Sequence, residues 1–139
     1  MLSRLLALAF WCASWVVIGL VVVPMLFVYL PTAQTAGQMA AKLFTAQTYL
    51  ALGFVSIWLW SAVSAFVRNP LGPHFFHQPI FWWVLASGLC SLMLEFVVAP
   101  QILLRENLAF WHQLGSGLYL AQGVGVVWAL FKEARVFNR

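Results

Sequence analysis

IFWWVLASGLCSLMLEFVVAPQILL, residues 80–104, is an almost unbroken apolar run that contains one carboxylate, Glu95. A helix needs ~20 apolar residues to cross the ~30 Å hydrocarbon core of a bilayer, so this run predicts a transmembrane helix. A charged group inside hydrocarbon costs several kcal/mol, and such residues usually belong to functional sites or buried pairs. Glu95 is therefore the first candidate for an intramembrane functional residue.

Three further apolar runs account for most of the remaining chain. Of the 139 residues, 64% are hydrophobic and 7% are charged, too few polar side chains to cover a soluble domain. Barrel strands are excluded because they alternate apolar and polar residues over about ten positions. The sequence predicts an all-α, integral membrane four-helix bundle, a single domain over residues 1–139. The predicted helices are 5–30, 43–67, 80–104 and 108–131.

The distribution of cations predicts the orientation of the helices. An even number of spans places the following cations on one side: Arg4, Arg68, Lys132, Arg135 and Arg139. Lys42 and Arg105 fall on the other side. Because cytoplasmic flanks carry the excess of Lys and Arg, both termini are predicted to be cytoplasmic in a bacterial inner membrane. The net charge of +4 is thereby explained by topology, so the bilayer, and no nucleic acid, is the expected partner.

The helices form two tandem hairpins that carry a faint internal repeat. Val22-Val23-Pro24 recurs as Val98-Ala99-Pro100, and the segment 49–53 recurs as 119–123. Two spans return the chain to the same side, so a true duplication would be parallel. Pro24 and Pro100 are predicted to kink their helices, because proline lacks the N–H that a helix interior uses.

Small residues predict a helix contact on the fourth span. Gly117, Ala121 and Gly125 recur every four residues, a spacing that lets backbones approach closely. The partner of this face is either a helix of the same chain or another copy of the chain.

Few groups in the chain are suited to chemistry. Glu95 lies ~22 Å from the cytoplasmic end of its helix, and His112 lies near the outer start of the next helix. A tight turn joins these helices, so the two side chains are candidates for one site, with Arg105 and Gln101 as secondary candidates. Glu95 is either a neutral residue hydrogen-bonded to a neighbouring helix or a proton relay, cation relay or metal ligand.

The remaining histidines favour an interfacial role. His74 and His77 lie between prolines on the cytoplasmic side, and they are weak candidates, with His112, for binding a transition metal or haem b. Most tryptophans, Trp11 and Trp15 among them, are predicted to anchor the helices at the interfaces. The chain contains no CxxCH, HExxH or GxSxG, which favours a non-enzymatic protein.

Several short motifs resemble a known family. They are Pro24-Met25-Leu26-Phe27, Ala36-Gly37, Leu43-Phe44 and Phe110-Trp111-His112. Together they resemble a bacterial family of unassigned membrane domains that is related to the eukaryotic transmembrane protein linked to cisplatin resistance. The resemblance implies four helices and no established activity. In layout alone, the chain also resembles four-helix families connected with copper resistance and haem-pathway oxidation, whose membrane histidines carry function.

Three functional hypotheses follow. The first is a non-enzymatic accessory or transport-related component, acting in a larger membrane complex or with another copy of itself. The second is a membrane protein that binds haem b or a metal through His112. The third is a small proton-coupled exporter that uses Glu95.

Overall fold

The computed structural model describes residues 1–69, 77–104 and 107–137. The chain forms four long helices: α1 (Leu2–Tyr29), α2 (Ala33–Arg68), α3 (Pro79–Leu104) and α4 (Leu108–Phe137). Each helix is long and apolar enough to cross a membrane, and the described residues include no strand. The predicted all-α class and the four predicted helices of membrane-spanning length are confirmed.

Helix α2 begins earlier than the apolar run at residue 43 predicted. Thr32 caps the helix, because its side-chain oxygen accepts a hydrogen bond of 3.1 Å from the backbone N–H of Thr35. A cap at this position satisfies a backbone donor that the first helical turn leaves free. The polar segment from Ala33 to Lys42 therefore forms the first turns of the helix.

The four helices are arranged in a ring. Each helix packs against its neighbours along the chain, and α1 also packs against α4. In each neighbouring pair, the contact partners advance along one helix as they retreat along the other, so all neighbouring helices are antiparallel. These contacts are 3–61 and 14–47 for α1 and α2, 48–91 and 45–95 for α2 and α3, 87–125 and 98–115 for α3 and α4, and 15–123 and 19–119 for α1 and α4. We call the end that contains both termini the terminal end, and the end with the 29–33 and 104–108 connections the loop end.

Each of the two prolines follows a segment of π-helix. The π segments are Val17–Val22, before Pro24, and Leu94–Val98, before Pro100. In these segments the backbone N–H of Val23 bonds to the carbonyl of Ile18, and that of Ala99 bonds to Leu94. Wider winding of this kind accommodates a proline that cannot donate to the carbonyl four residues earlier. The two hairpins thus share a local backbone at the first repeated motif.

The two copies of the second repeated motif, 49–53 and 119–123, pack differently. Tyr49 is 61% exposed, whereas Tyr119 is 9% exposed. A Cβ added at Gly53 would meet open space, whereas one added at Gly123 would meet the Trp15 ring. The likeness of 49–53 to 119–123 therefore does not extend to the environment of these residues.

A reciprocal contact between Trp15 and Tyr119 joins α1 to α4. The Trp15 indole N–H donates to the Tyr119 carbonyl (3.0 Å), and the Tyr119 hydroxyl donates to the Trp15 carbonyl (2.7 Å). Their rings stack with centroids 5.4 Å apart. Gly123 leaves room for the Trp15 ring, and Gly19 leaves room for the Tyr119 ring. The Tyr119 hydroxyl thus bonds a carbonyl next to the change from α to π winding at Val17.

The core corrects one expectation about the tryptophans. Trp11 is fully buried and Trp15 is buried, so neither is an interfacial anchor. Trp11 packs in an apolar cluster in the terminal half of the bundle with Trp58 and Phe81. Large aromatic side chains supply much of the contact area in a small bundle, which explains why these two lie inside.

Candidate functional site

Polar side chains interrupt the apolar core halfway along the bundle. We call this group the polar layer, and it consists of Ser14 from α1, Gln47 and Thr48 from α2, Ser87 and Ser91 from α3, and Gln122 from α4. All but Ser14 are at most 3% exposed. The antiparallel register brings residues from all four helices to a similar depth. A buried polar side chain carries a desolvation cost, so five of them at one depth, with the half-buried Ser14 beside them, mark a distinct region.

Hydrogen bonds link part of this layer. The Gln47 amide nitrogen donates to the Ser14 hydroxyl (3.2 Å), which in turn donates to the Trp11 carbonyl (2.8 Å). The Thr48 hydroxyl donates to the Ser91 carbonyl (3.3 Å). These bonds join α1 to α2 and α2 to α3 inside the bundle.

Three polar atoms of the layer have no hydrogen-bond partner among the described residues. They are the Gln47 carbonyl oxygen Oε1, the Ser87 hydroxyl Oγ and the Gln122 amide nitrogen Nε2. Leaving a buried donor or acceptor unpaired costs about 1–3 kcal/mol. The layer therefore offers an acceptor, a hydroxyl and a donor to a small hydrogen-bonding species.

Glu95 lies next to the polar layer on the loop-end side. It follows Ser91 by four residues on α3, which is about one helical turn, or ~6 Å. Its Oε1 accepts a hydrogen bond from the Thr45 hydroxyl of α2 at 3.0 Å, and the side chain is half-buried. Glu95 also lies within the π segment Leu94–Val98, and π segments are frequent at functional sites.

The described contact of Glu95 is to α2 and not to the predicted partner on α4. His112 is exposed near the start of α4, and Gln101 is half-buried near the end of α3. Arg105 lies outside the described residues, so its predicted contribution is not tested. The structure therefore brings Glu95 together with Thr45, a residue that the sequence alone did not single out.

The candidate metal ligands do not form a cluster in the described part of the chain. Over residues 1–69, 77–104 and 107–137, no three His, Cys, Asp or Glu side chains are close enough to hold a metal ion. His77 is exposed just before α3, and His74 lies outside the described residues.

The predicted small-residue face contributes only one contact within the bundle. Gly117 and Ala121 are exposed, and a Cβ at Gly117 would meet nothing, whereas Gly125 packs against Ser87. A step of four residues advances by 400° on a 3.6-residue helix, so the two steps from 117 to 125 turn the stripe by about 80°. The glycines that face neighbouring helices are therefore Gly125, Gly123 and Gly115, and not one continuous stripe.

Residues 6–106 match the model of a protein family described as Domain of unknown function (DUF4149). The chain belongs to this family. The DUF4149 match covers α1, α2 and α3, so it includes Glu95 and Thr45 but ends before His112 and Gln122. No curated protein and no solved structure is significantly similar to the chain. The resemblance to a family of unassigned function is confirmed at this level.

The DUF4149 chain also contains a buried ion pair that the sequence analysis did not identify. At the terminal end, Nε of Arg4 lies 3.1 Å from Oε1 of Glu133, and the two side chains are 15% and 3% exposed. The sequence feature that could have identified this pair is the position of the two residues near the start of α1 and the end of α4. An even number of helices brings those two positions to the same end of the bundle.

A substitution at Gln122 tests whether the unpaired polar groups of the polar layer lower the stability of the folded bundle. We expect Gln122→Met to raise the free energy of unfolding by about 1 kcal/mol, because it removes a buried amide donor without losing a described hydrogen bond. Gln47→Met is the matched control, and it should give no gain because it breaks the bond to Ser14. Thermal unfolding of the detergent-solubilised variants measures both. A larger loss for Gln122→Met than for Gln47→Met would contradict the prediction.

Proposed function

We propose that this DUF4149 protein is a transport-related membrane component that passes protons across the bilayer, with Glu95 as the residue that takes up and releases the proton. The proposal is supported chiefly by one observation: Glu95 lies about one turn from a polar layer to which all four helices contribute. An apolar core would place no hydrogen-bonding group at that depth.

Each part of the site has a chemical role in the proposed path. A carboxyl group can bind and release a proton, whereas the hydroxyls and amides of the layer can only form hydrogen bonds. The Thr45 hydroxyl donates to one carboxylate oxygen and thereby holds the side chain toward α2. The Gln47 carbonyl oxygen and the Ser87 hydroxyl oxygen then supply acceptors for a hydrated proton in the middle of the bundle, and the Gln122 amide N–H donates to a neighbouring water oxygen.

The proposed orientation places the terminal end in the cytoplasm of a bacterial inner membrane. Among the described cations, Arg4, Arg68, Lys132 and Arg135 lie in the terminal half, whereas Lys42 lies in the loop-end half. This asymmetry supports cytoplasmic termini under the positive-inside rule. Glu95 would then exchange its proton with the outer side of the membrane.

The other hypotheses have less support from the described contacts. His112 is exposed and does not meet Glu95, so no described arrangement favours a haem or metal site there. A role as an accessory subunit, or in a larger complex, stays a prediction that co-purification would test. The relation to the cisplatin-resistance protein also stays a prediction.

Proton flux into liposomes tests the role of Glu95. The purified protein is reconstituted into liposomes that contain a pH-sensitive dye, and a pH gradient is imposed. We expect the wild-type protein to dissipate the gradient faster than empty liposomes do, and Glu95→Gln to return the rate to that of empty liposomes. The substitution keeps the side-chain size and removes the titratable group.

Glu106→Gln is the control, because it makes the same chemical change at a carboxylate in the sequence between α3 and α4. We expect this variant to keep the wild-type flux, and all variants to keep the elution volume and helicity of the wild type. The proposal is wrong if wild-type liposomes are no faster than empty ones. It is equally wrong if a folded Glu95→Gln protein conducts at the wild-type rate.

A further inference from the structure

A groove at the terminal end separates the start of α1 from the end of α2. It has a volume of about 380 Å³, and its main lining residues are Ser3, Ile57, Trp60, Ser61, Ser64 and Arg68. At its mouth, the hydroxyls of Ser3 and Ser61 are hydrogen-bonded at 2.8 Å. The groove is remote from Glu95 and plays no part in the proposed proton path.

The groove changes from polar to apolar with depth. Ile57, Ser61, Ser64 and Arg68 lie on one face of α2, because their spacing follows the helical repeat. At ~1.5 Å per residue, Ile57 lies ~16 Å deeper in the bundle than Arg68. Trp60 beside them is among the most exposed of the large apolar side chains. A cation and hydroxyls at the mouth with apolar side chains below match the order of phosphate and acyl chain in a phospholipid.

The carboxylate side chains that the structure describes do not pair with Arg68. The chain has only three acidic residues. Glu95 lies toward the loop end, Glu106 belongs to the connection between α3 and α4, and Glu133 is buried at the terminal end in its pair with Arg4. Within residues 1–69, 77–104 and 107–137, no carboxylate side chain is therefore left for Arg68 at the terminal end.

The other described cationic side chains at this end have partners of their own. The Lys132 amino group lies 4.7 Å from the centre of the Trp128 ring, and the Arg135 guanidinium lies 4.2 Å from that of Phe131. Arg68 instead stands exposed at the edge of the groove, beside hydroxyls that can donate to the same anion. A guanidinium binds phosphate oxygens in a bidentate manner, and serine hydroxyls complete such a site.

We propose that this groove binds the phosphate of an anionic phospholipid. Arg68 pairs with the phosphate, Ser61 and Ser64 donate hydrogen bonds to the headgroup, and one acyl chain follows Ile57 and Trp60 into the membrane. Cations next to a membrane surface attract anionic lipids in the same way. In addition to this general attraction, the groove holds one lipid at a fixed position.

Native mass spectrometry of the whole detergent-solubilised protein tests the proposal. The probes are phosphatidylglycerol and phosphatidylcholine with identical acyl chains. We expect wild-type protein to bind phosphatidylglycerol about tenfold more tightly, and Arg68→Gln to abolish most of that preference, as expected for one charge-assisted interaction. Arg135→Gln removes one positive charge from the same end outside the groove, and it should keep the preference.

Two further measurements distinguish a lipid site in the groove from a general attraction to positive charge and from a site for a soluble anion. Ser61→Leu fills the groove but keeps the charge of Arg68, so it should lose phosphatidylglycerol if the groove is the site. Equal losses in Arg68→Gln and Arg135→Gln, or full binding by Ser61→Leu, would overturn the proposal. Displacement of the lipid by equimolar inorganic phosphate would show a site for a soluble anion, and that result would also overturn it.

Discussion

Replacing Gly123 by valine is expected to destabilise the folded bundle by at least about 3 kcal/mol, the upper part of the usual range for overpacking. Even the first added carbon would overlap the Trp15 indole ring, which is fixed by its hydrogen bond and by stacking on Tyr119. Displacing the ring would disturb its hydrogen bond to the Tyr119 carbonyl and its stacking on Tyr119, which join α1 to α4. Unfolding of the solubilised protein, followed by size-exclusion chromatography after heating, measures the loss.

Gly117→Val is the matched control because it makes the same substitution in the same helix. A Cβ at Gly117 meets nothing within 4 Å, so we expect its stability to stay within about 0.5 kcal/mol of wild type. A second check uses Trp15→Leu, which removes the obstructing ring. Gly123→Val should cost little more in that background, since the effects of contacting residues are not additive. Equal stability of Gly123→Val and Gly117→Val would contradict the described packing.

Arg4→Met is expected to cost about 3–5 kcal/mol, because it leaves the Glu133 carboxylate buried without its cation. Glu133→Gln should cost less, since Arg4 is 15% exposed and its side chain can reach water or lipid headgroups. Replacing both residues, Arg4→Met with Glu133→Leu, should recover most of the stability. The unfolding free energies of the four proteins form a double-mutant cycle that measures the coupling.

Arg135→Met controls for the loss of a positive charge at the terminal end. Arg135 lies over the exposed side of α4 on the Phe131 ring, so its removal should cost at most about 1 kcal/mol. Because the Arg4–Glu133 pair is buried, its coupling should also change little with ionic strength. A cost for Arg4→Met no greater than that for Arg135→Met would show that the ion pair does not stabilise the fold.

Glu95 shows how far sequence reasoning reaches into the candidate site. Its position in an apolar run identifies it because a carboxylate in hydrocarbon is costly wherever the neighbouring helices lie. The sequence does not identify the residue that Glu95 contacts. The short connection favoured His112, yet the helices place Thr45 of α2 beside the carboxylate and leave His112 exposed. A turn fixes which helices are adjacent, but the rotation of each helix about its axis decides which side chains meet.

The glycines of α4 show that helix rotation also decides which residues pack against a neighbouring helix. A spacing of four residues predicted one face from Gly117 to Gly125, and the ring arrangement instead uses Gly115, Gly123 and Gly125 against three different side chains. Whether a glycine of α4 makes a helix contact depends on the side chain of the neighbouring helix that lies opposite it. That information is held by α1 and α3, and not by the sequence of α4.

The sequence by itself determined the class of this protein: four helices of membrane-spanning length, joined as antiparallel hairpins, with local distortion at the two prolines. Hydrophobic run length and the missing proline N–H are properties of single segments, so they can be read without knowing the neighbours. Only the tertiary structure decided the polar layer, the Trp15–Tyr119 contact and the Arg4–Glu133 pair. Each joins residues far apart in the chain, and each exists because helix register and rotation, set by packing among all four helices, bring those side chains together.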